Sequence, residues 1–156
     1  NVGTKVRTFP FVHKPAKEVC YACHLSHGSE FEHLLDSPLP KGFYGKFYPI
    51  RFNVCLSCHD SDFATNSKSK ETEFRNGSTN LHYFHLQLGV KGYSCLTCHD
   101  VHASQQPRQI RDSYLFEGVE VPLKYVKTPT GGNCASACHG TKTYDRNKAV
   151  LNAPGR

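Results

Sequence analysis

Three pentapeptides with the pattern Cys-x-x-Cys-His decide the fold of this chain: Cys20-Tyr-Ala-Cys23-His24, Cys55-Leu-Ser-Cys58-His59 and Cys95-Leu-Thr-Cys98-His99. A fourth motif is one residue longer, Cys134-Ala-Ser-Ala-Cys138-His139, and the four motifs together use all eight cysteines of the 156-residue chain. This pattern is typical of c-type haem attachment, in which two thiols form thioethers and the adjacent imidazole binds the iron. We therefore expect four covalently attached c-type haems, with the histidines of the motifs as proximal iron ligands.

Helical geometry explains the spacing of the three regular motifs, because positions i, i+3 and i+4 lie on one face of a helix. In the fourth motif the same groups fall at i, i+4 and i+5, so we expect a local bulge or a π-type turn there. Gly131 and Gly132 precede it and provide a pliable approach. The alternative is that Cys134 and Cys138 form a disulfide or stay free, which would leave three haems.

Other interpretations of the cysteines are weaker. Zinc ribbons do not require a histidine directly after every second cysteine. A thioredoxin-like pair would occur once, in a βαβ context. A disulfide framework accounts for eight cysteines but not for the histidines beside them.

The remaining histidines predict the second iron ligands. The chain has no methionine, so the His/Met pairing found in many c-type cytochromes cannot form within it. Ten histidines minus the four in the motifs leaves six: His13, His27, His33, His82, His85 and His102. Six are enough to make every iron bis-histidine. Such irons have no open site, which favours electron transfer over substrate chemistry and predicts no catalytic residue.

An internal repeat ranks these six histidines. His13 precedes the first motif and His27 follows it, as His85 precedes the third motif and His102 follows it. We therefore expect His13, His27, His85 and His102 to be distal ligands. His82 competes with His85, since the sequence Leu81-His82-Tyr-Phe-His85 places both on one helical face. His33 has no counterpart in the repeat and is expected at the surface.

The repeat also predicts the domain organisation. Residues 1–156 should form a single tetrahaem domain that contains two tandem dihaem units, about residues 1–62 and 80–143. A polar stretch, residues 61–80, should join them, and its segment 65–80 is expected to be an exposed loop.

Composition predicts a fold packed around the haems. About 39 residues are present for each of four haems, and nine prolines and twelve glycines interrupt the chain. No segment keeps an amphipathic helical pattern beyond about three turns. We expect a mostly irregular, haem-packed multihaem cytochrome c fold with a few short helices at the motifs and little strand. Any strand should lie near residues 47–54 or 119–126.

The formal charge of +6 does not indicate a nucleic-acid partner. Four haems would bring about eight propionate charges, which the excess of lysine and arginine offsets, and no basic run with interleaved aromatic residues is present. No apolar stretch is long enough to span a membrane. Thioether formation takes place after export, so we expect a mature chain from which a leader was removed, located outside the cell or in the periplasm. Asn76-Gly77-Ser78 matches a glycosylation sequon.

Longer tracts carry a family resemblance. They are Asn80-Leu-His-Tyr-Phe-His85, Gly92-Tyr-Ser-Cys-Leu-Thr-Cys-His-Asp-Val-His-Ala-Ser104, and Thr128-Pro-Thr-Gly-Gly-Asn-Cys-Ala-Ser-Ala-Cys-His139 with Tyr144-Asp-Arg146 after it. With the paired motifs, they resemble the doubled-CxxCH multihaem cytochromes, and among these the extracellular polymerising tetrahaem cytochromes that form conductive nanowires. The resemblance implies head-to-tail filaments with a continuous row of haems, in which His13 ligates a haem of the neighbouring subunit.

Three functions follow from these expectations. The first is conduction through an extracellular filament, from redox partner proteins to external electron acceptors. The second is a monomeric periplasmic tetrahaem electron shuttle. The third is a multihaem reductase, which the surplus of histidines over irons disfavours because a reductase needs an open iron site.

Overall fold

The computed structural model describes residues 1–153, and its helices are short. They are Val2–Thr8 (α1), Lys14–Glu18 (α2), Asn53–Leu56 (α3), Asp62–Thr65 (α4), Leu81–Leu86 (α5) and Cys95–Cys98 (α6). Single 3₁₀ turns occupy Cys20–Ala22, Glu32–Leu34, Pro49–Phe52, Gly89–Lys91 and Pro107–Gln109. None of the helices within residues 1–153 is long and apolar enough to cross a bilayer.

The expectation of little strand is wrong. About 26% of the residues are in strands and 30% are helical. Two short strand pairs join Phe11–Val12 (β1) to Ala103–Ser104 (β4), and Arg75–Asn76 (β2) to Thr79–Asn80 (β3). A four-stranded antiparallel sheet follows in the order Ser113–Phe116 (β5), Val119–Lys127 (β6), Gly131–Ser136 (β7) and His139–Asp145 (β8).

Sequence analysis missed most of this sheet because, of its four strands, only β6 shows an apolar alternation. In β6, Val121 and Leu123 are buried while the residues between and before them are exposed, so this strand was expected correctly. The turn between β5 and β6 places Glu117 and Gly118 at positive φ, as a two-residue hairpin requires. The other expected location was wrong, because Pro49 begins a 3₁₀ turn there.

Strands β7 and β8 carry polar and small residues, so their sequences show no hydrophobic period. Their backbones are held by pairing with β6 and with each other. A Cβ atom at Gly131 would overlap the carbonyl oxygen of Tyr144, so glycine is needed for this close approach. This is a different role from the pliable loop that the sequence suggested.

The expectation of an exposed loop over residues 65–80 holds for nine of these sixteen residues but is wrong at three buried positions. Ser69, Thr72 and Asn80 are all less than 9% exposed. Asn80 Nδ2 donates hydrogen bonds to the carbonyls of Phe63 (2.6 Å) and Asn66 (2.8 Å). Its Oδ1 accepts from the first amides of α5 and caps that helix. Side-chain hydrogen bonds therefore make it possible to bury a segment with few apolar residues.

The turns that follow the first and third motifs have the same pattern of backbone hydrogen bonds. In residues 20–36, the amide of Asp36 donates to the carbonyl of Cys23, and His33 and Leu34 have positive φ. In residues 95–111, the amide of Arg111 donates to the carbonyl of Cys98, and positions 108 and 109 have positive φ. The likeness between the halves therefore extends from sequence to hydrogen bonding.

The apolar core is small and lies between the halves. Phe47, Phe52, Ala64 and Leu86 form its buried cluster, and the rings of Phe47 and Phe52 lie 5.1 Å apart. This core joins α3, α4 and α5, which carry or flank the residues of the candidate sites.

Candidate haem centres

Each of the three regular motifs forms a single helical turn, as the spacing predicts. The amide of the histidine donates to the carbonyl of the first cysteine in each case, at 3.1 Å for His24, 3.0 Å for His59 and 3.0 Å for His99. This i to i+4 bond brings both thiols and the imidazole to one side of the turn. The residues are therefore arranged to approach one planar group from one face.

The fourth motif lies on a β-hairpin, so the expectation of a π-type turn is wrong. Cys134 lies on β7, Cys138 in the turn and His139 at the start of β8. The register of this strand pair shifts between Cys134 and Ser136. A bulge of this kind accommodates one extra residue. None of the eight cysteines forms a disulfide.

The cysteines of successive motifs lie next to one another in chain order. Burial raises the pKa of Cys23, and the charges of Cys55 and Cys58 raise it further. The thiols of Cys55 and Cys95 are neighbours, and their interaction lowers the pKa of Cys55 and raises that of Cys95. The second motif therefore contacts both the first and the third.

The third motif is in turn close to the fourth. Burial raises the pKa of Cys98 to about 12, and the nearby thiols of Cys134 and Cys138 add to this effect. Each motif thus has the next motif in the sequence as a neighbour.

Three motif histidines each face a histidine that belongs to no motif. The ring centroids of His24 and His102 lie 6.1 Å apart with planes at 10°. His13 and His59 are separated by 6.2 Å and 15°, and His82 and His99 by 6.4 Å and 20°. The same geometry recurs at three sites that differ in sequence and in local structure.

This separation fits one metal ion between two imidazoles. A bound first-row metal lies about 2.0–2.1 Å from an imidazole nitrogen and about 1.1 Å more from the ring centroid, so opposed rings have centroids about 6.2–6.4 Å apart. Within residues 1–153, no three or more His, Cys, Asp or Glu side chains converge to hold a metal ion. The separation of each pair is the one expected for two imidazoles on a haem iron.

His85 and His139 form a fourth association. Burial lowers the pKa of His85, and the charge of nearby His139 lowers it further. His85 lies on the same helix as His82, one turn away. His82 therefore faces the third motif, whereas His85 lies near the fourth.

Hydrogen bonds orient most of these imidazoles. The Nδ1 atoms of His13, His24, His85, His99 and His139 each lie 2.6–3.1 Å from a backbone carbonyl oxygen. An Nδ1–H donor leaves Nε2 free to bind a metal, and such bonds are the usual support for a ligating histidine. His82 differs, since its Nδ1 lies 2.8 Å from the hydroxyl oxygen of Thr72.

Two histidines have other positions. His27, which the repeat nominated as a ligand, is exposed, and none of the paired rings within residues 1–153 includes it. His33 is exposed too, and its carbonyl oxygen accepts from Nδ1 of His24 at 2.8 Å. His33 thus orients His24 through its backbone carbonyl, and a pattern of side chains in the sequence cannot predict a backbone contact of this kind.

Two phenylalanines that sequence analysis did not single out connect the histidine pairs. Phe63 contacts both His59 and His82, with ring centroids 6.5 and 5.1 Å away. Phe74 contacts His82 at 5.2 Å and His85 at 5.6 Å. The only feature of the sequence that could have suggested the role of Phe63 is its position four residues after His59. No feature of the sequence suggested the role of Phe74.

Asn76 of the glycosylation sequon is engaged inside the protein. Its Nδ2 donates to the carbonyl of Val150 at 2.8 Å, and its Oδ1 accepts from the amide of Val150 at 2.7 Å. The amide nitrogen that a glycan would require is therefore used to hold the C-terminal segment to the hairpin of β2 and β3.

One family model matches part of the chain. The family model of the doubled CXXCH motif matches residues 13–44, which include His13 and the first motif. No curated protein and no solved structure matches the chain. The match supports a multihaem c-type cytochrome family, and with the repeated motifs it indicates covalently bound haem c and electron transfer.

Proposed function

We propose that this chain is an electron-transfer protein that holds four c-type haems in a row, each iron bound by two histidines. The observation that carries the proposal is the recurrence of near-parallel imidazole pairs 6.1–6.4 Å apart at three of the four motifs. The family match supports haem c binding, and the three histidine pairs support an iron site at each of three motifs.

The proposal assigns a role to each residue of the sites. The eight cysteines attach the porphyrins. The ligand pairs are His24 with His102, His59 with His13, His99 with His82, and His139 with His85. His27 is left out because no ring faces it. The two dihaem units are then not independent, since the second half supplies His102 to the first motif.

The bound irons supply one-electron chemistry by cycling between the ferric and ferrous states. The chain holds neighbouring sites close together, since thiols of successive motifs lie near one another. Phe63 and Phe74 fill the space between the second, third and fourth histidine pairs and exclude water from it. With both axial positions filled by protein, no residue is assigned a catalytic role.

The proposal is tested by counting haems and ligands. The mass of the denatured protein and its pyridine haemochrome should correspond to four haems per chain. All four should be low-spin in both oxidation states, and the native ferrous protein should not bind carbon monoxide. Three haems, or tight binding of carbon monoxide or nitrite without denaturation, would contradict it. The second of these outcomes would favour the reductase.

For the assembly we propose the subunit of an extracellular conductive filament that carries electrons to external acceptors. The family resemblance supports this proposal. An interface that repeats head to tail without closing produces a filament. Negative-stain electron microscopy of the purified protein at neutral pH should then show long filaments of uniform width.

The alternative is a monomeric periplasmic shuttle, and the position of His13 favours it. The resemblance implies that His13 serves a neighbouring subunit, but its ring lies 6.2 Å from that of His59 in its own chain. The variant His13→Ala separates the two assemblies. In a shuttle it should open one iron in a particle of unchanged size, whereas in a filament with cross-subunit ligation it should abolish polymerisation.

A further inference from the structure

The two halves of the chain carry opposite charges at equivalent positions beside their first motifs. The amide of Asp36 donates to the carbonyl of Cys23 at 2.9 Å, and the amide of Arg111 donates to the carbonyl of Cys98 at 3.0 Å. The surrounding turns have the same hydrogen bonds and the same positive φ angles. Residues 36 and 111 therefore have equivalent backbone positions relative to the first and third motifs.

These charges act on the motifs. The side chain of Asp36 lies near the thiol of Cys23, and the guanidinium of Arg111 lies near Cys98 and His99. Arg111 is half-buried, and its Nε is a buried donor without a partner. Its charge is therefore less screened than that of exposed Asp36.

A second carboxylate lies beside the first histidine pair. The amide of His102 donates to Oδ1 of Asp100 at 3.2 Å. Lys5 forms an ion pair with Asp100 at 2.6 Å and offsets part of that charge. The first site thus has two carboxylates near it, Asp36 beside Cys23 and Asp100 beside His102.

The third histidine pair has an apolar environment. The edges of Phe63 and Phe74 face the ring of His82, with centroids 5.1 and 5.2 Å away. The hydroxyl of Thr72, itself buried, is the partner of His82 Nδ1, where the other hydrogen-bonded rings have a carbonyl. A hydroxyl is a weaker acceptor, so His82 gains less electron density at its metal-binding nitrogen.

Oxidation of a haem iron adds one positive charge to the site. Nearby carboxylates and strong acceptors on the ligands stabilise that charge, whereas a nearby cation and an apolar environment destabilise it. We propose that the haem of the third motif has a higher reduction potential than the haem of the first, and that Arg111, Thr72 and Asp36 set this difference. The inference rests on the proposed four-haem function. It makes transfer from the first site towards the third favourable.

The test is a potentiometric titration of the holoprotein and of three single variants. Arg111→Gln should lower one of the four midpoint potentials. Thr72→Val should raise the same midpoint, because it removes the acceptor from Nδ1–H of His82. Each change should alter the ratio of reduced to oxidised third haem by roughly two- to tenfold at a fixed potential, as expected for one partly buried interaction. Asp36→Asn should raise a different and lower midpoint by a smaller amount.

Matched controls separate tuning from structural damage. Arg111→Lys keeps the charge and Thr72→Ser keeps the hydroxyl, so neither should move a midpoint appreciably. Arg7→Gln removes an equal charge from an exposed position on α1 and should have no effect on the third site.

The inference is overturned if Arg111→Gln and Thr72→Val leave every midpoint unchanged, or move it in the same direction. It is also overturned if the midpoint they share lies below the one that Asp36→Asn moves. Each variant is first shown to contain four low-spin haems. A wild-type protein with fewer haems would refute the proposed function itself, whereas four low-spin haems with unmoved midpoints would refute this inference alone.

Discussion

His27 and His102 occupy equivalent positions in the repeat, three residues after a motif histidine, yet the structure gives them different roles. The ring of His102 lies 6.1 Å from that of His24 with planes at 10°, whereas His27 is exposed. We predict that His102→Ala removes the sixth ligand from one iron and that His27→Ala removes none. The pair is a matched comparison, because both changes delete the same side chain from the same local turn.

The structure sets the size of the effect. One ligand pair in four is broken, so about a quarter of the low-spin signal should convert to high-spin, and the ferrous variant should bind about one carbon monoxide per chain. The fold should persist, because the hydrogen bonds of residue 102 to His13 and Asp100 are made by its backbone amide and carbonyl.

The assays are electron paramagnetic resonance of the oxidised protein and carbon monoxide titration of the reduced protein. Neither readout should change for His27→Ala. The pairing is refuted if His102→Ala leaves all four haems six-coordinate, or if His27→Ala opens an iron to carbon monoxide. The latter result would restore His27 as a ligand, as the repeat suggested.

Three further changes test the framework around the sites. Burial favours protonation of Asp100, but the hydrogen bonds from Lys5 and nearby amides outweigh burial and lower the pKa of this carboxyl below 3.8. The ionised carboxylate therefore stabilises the fold above about pH 4, and this stabilisation is lost as the pH falls through the lowered pKa. Asp100→Asn should lower the melting temperature at pH 7, and the melting temperature of the variant should fall less than that of the wild type when the solution is acidified. Asn76→Ala should cost about 1–3 kcal/mol in urea unfolding by releasing the C-terminal segment, and the wild-type protein expressed in a glycosylating host should carry no glycan there by mass spectrometry. Gly131→Ala should destabilise the sheet by about 3 kcal/mol or more through overlap with Tyr144, and a melting temperature equal to that of the wild type would contradict the close approach of β7 and β8.

Of the strands in the four-stranded sheet, β6 could be predicted from the sequence, whereas β7 and β8 could not. Strand β6 could be expected because Val121 and Leu123 alternate with exposed residues, a pattern that a single strand displays by itself. Strands β7 and β8 could not, because their residues are small or polar and their position depends on pairing with β6. The motif within them also suggested a helical turn, since the other three motifs form one.

The burial of three residues in the segment before α5 was not predicted, for a related reason. Its polarity indicated exposure, but Asn80 satisfies four backbone groups with one side chain and is 1% exposed. Whether a polar residue is buried depends on the partners that the fold brings to it, and these lie up to 17 residues away.

The sequence by itself determined the chemistry of the sites, because attachment to haem depends on residue types at short, fixed spacing, and that spacing defines one turn of backbone whatever surrounds it. Only the tertiary structure decided which histidine faces which motif. His24 and His102 are separated by more than seventy positions, and His82 and His85 by three, yet the first two face each other and the last two lie near different motifs. A distal ligand is chosen by distance in space, which results from strand pairing such as that of β1 with β4 and from helix packing over the whole chain.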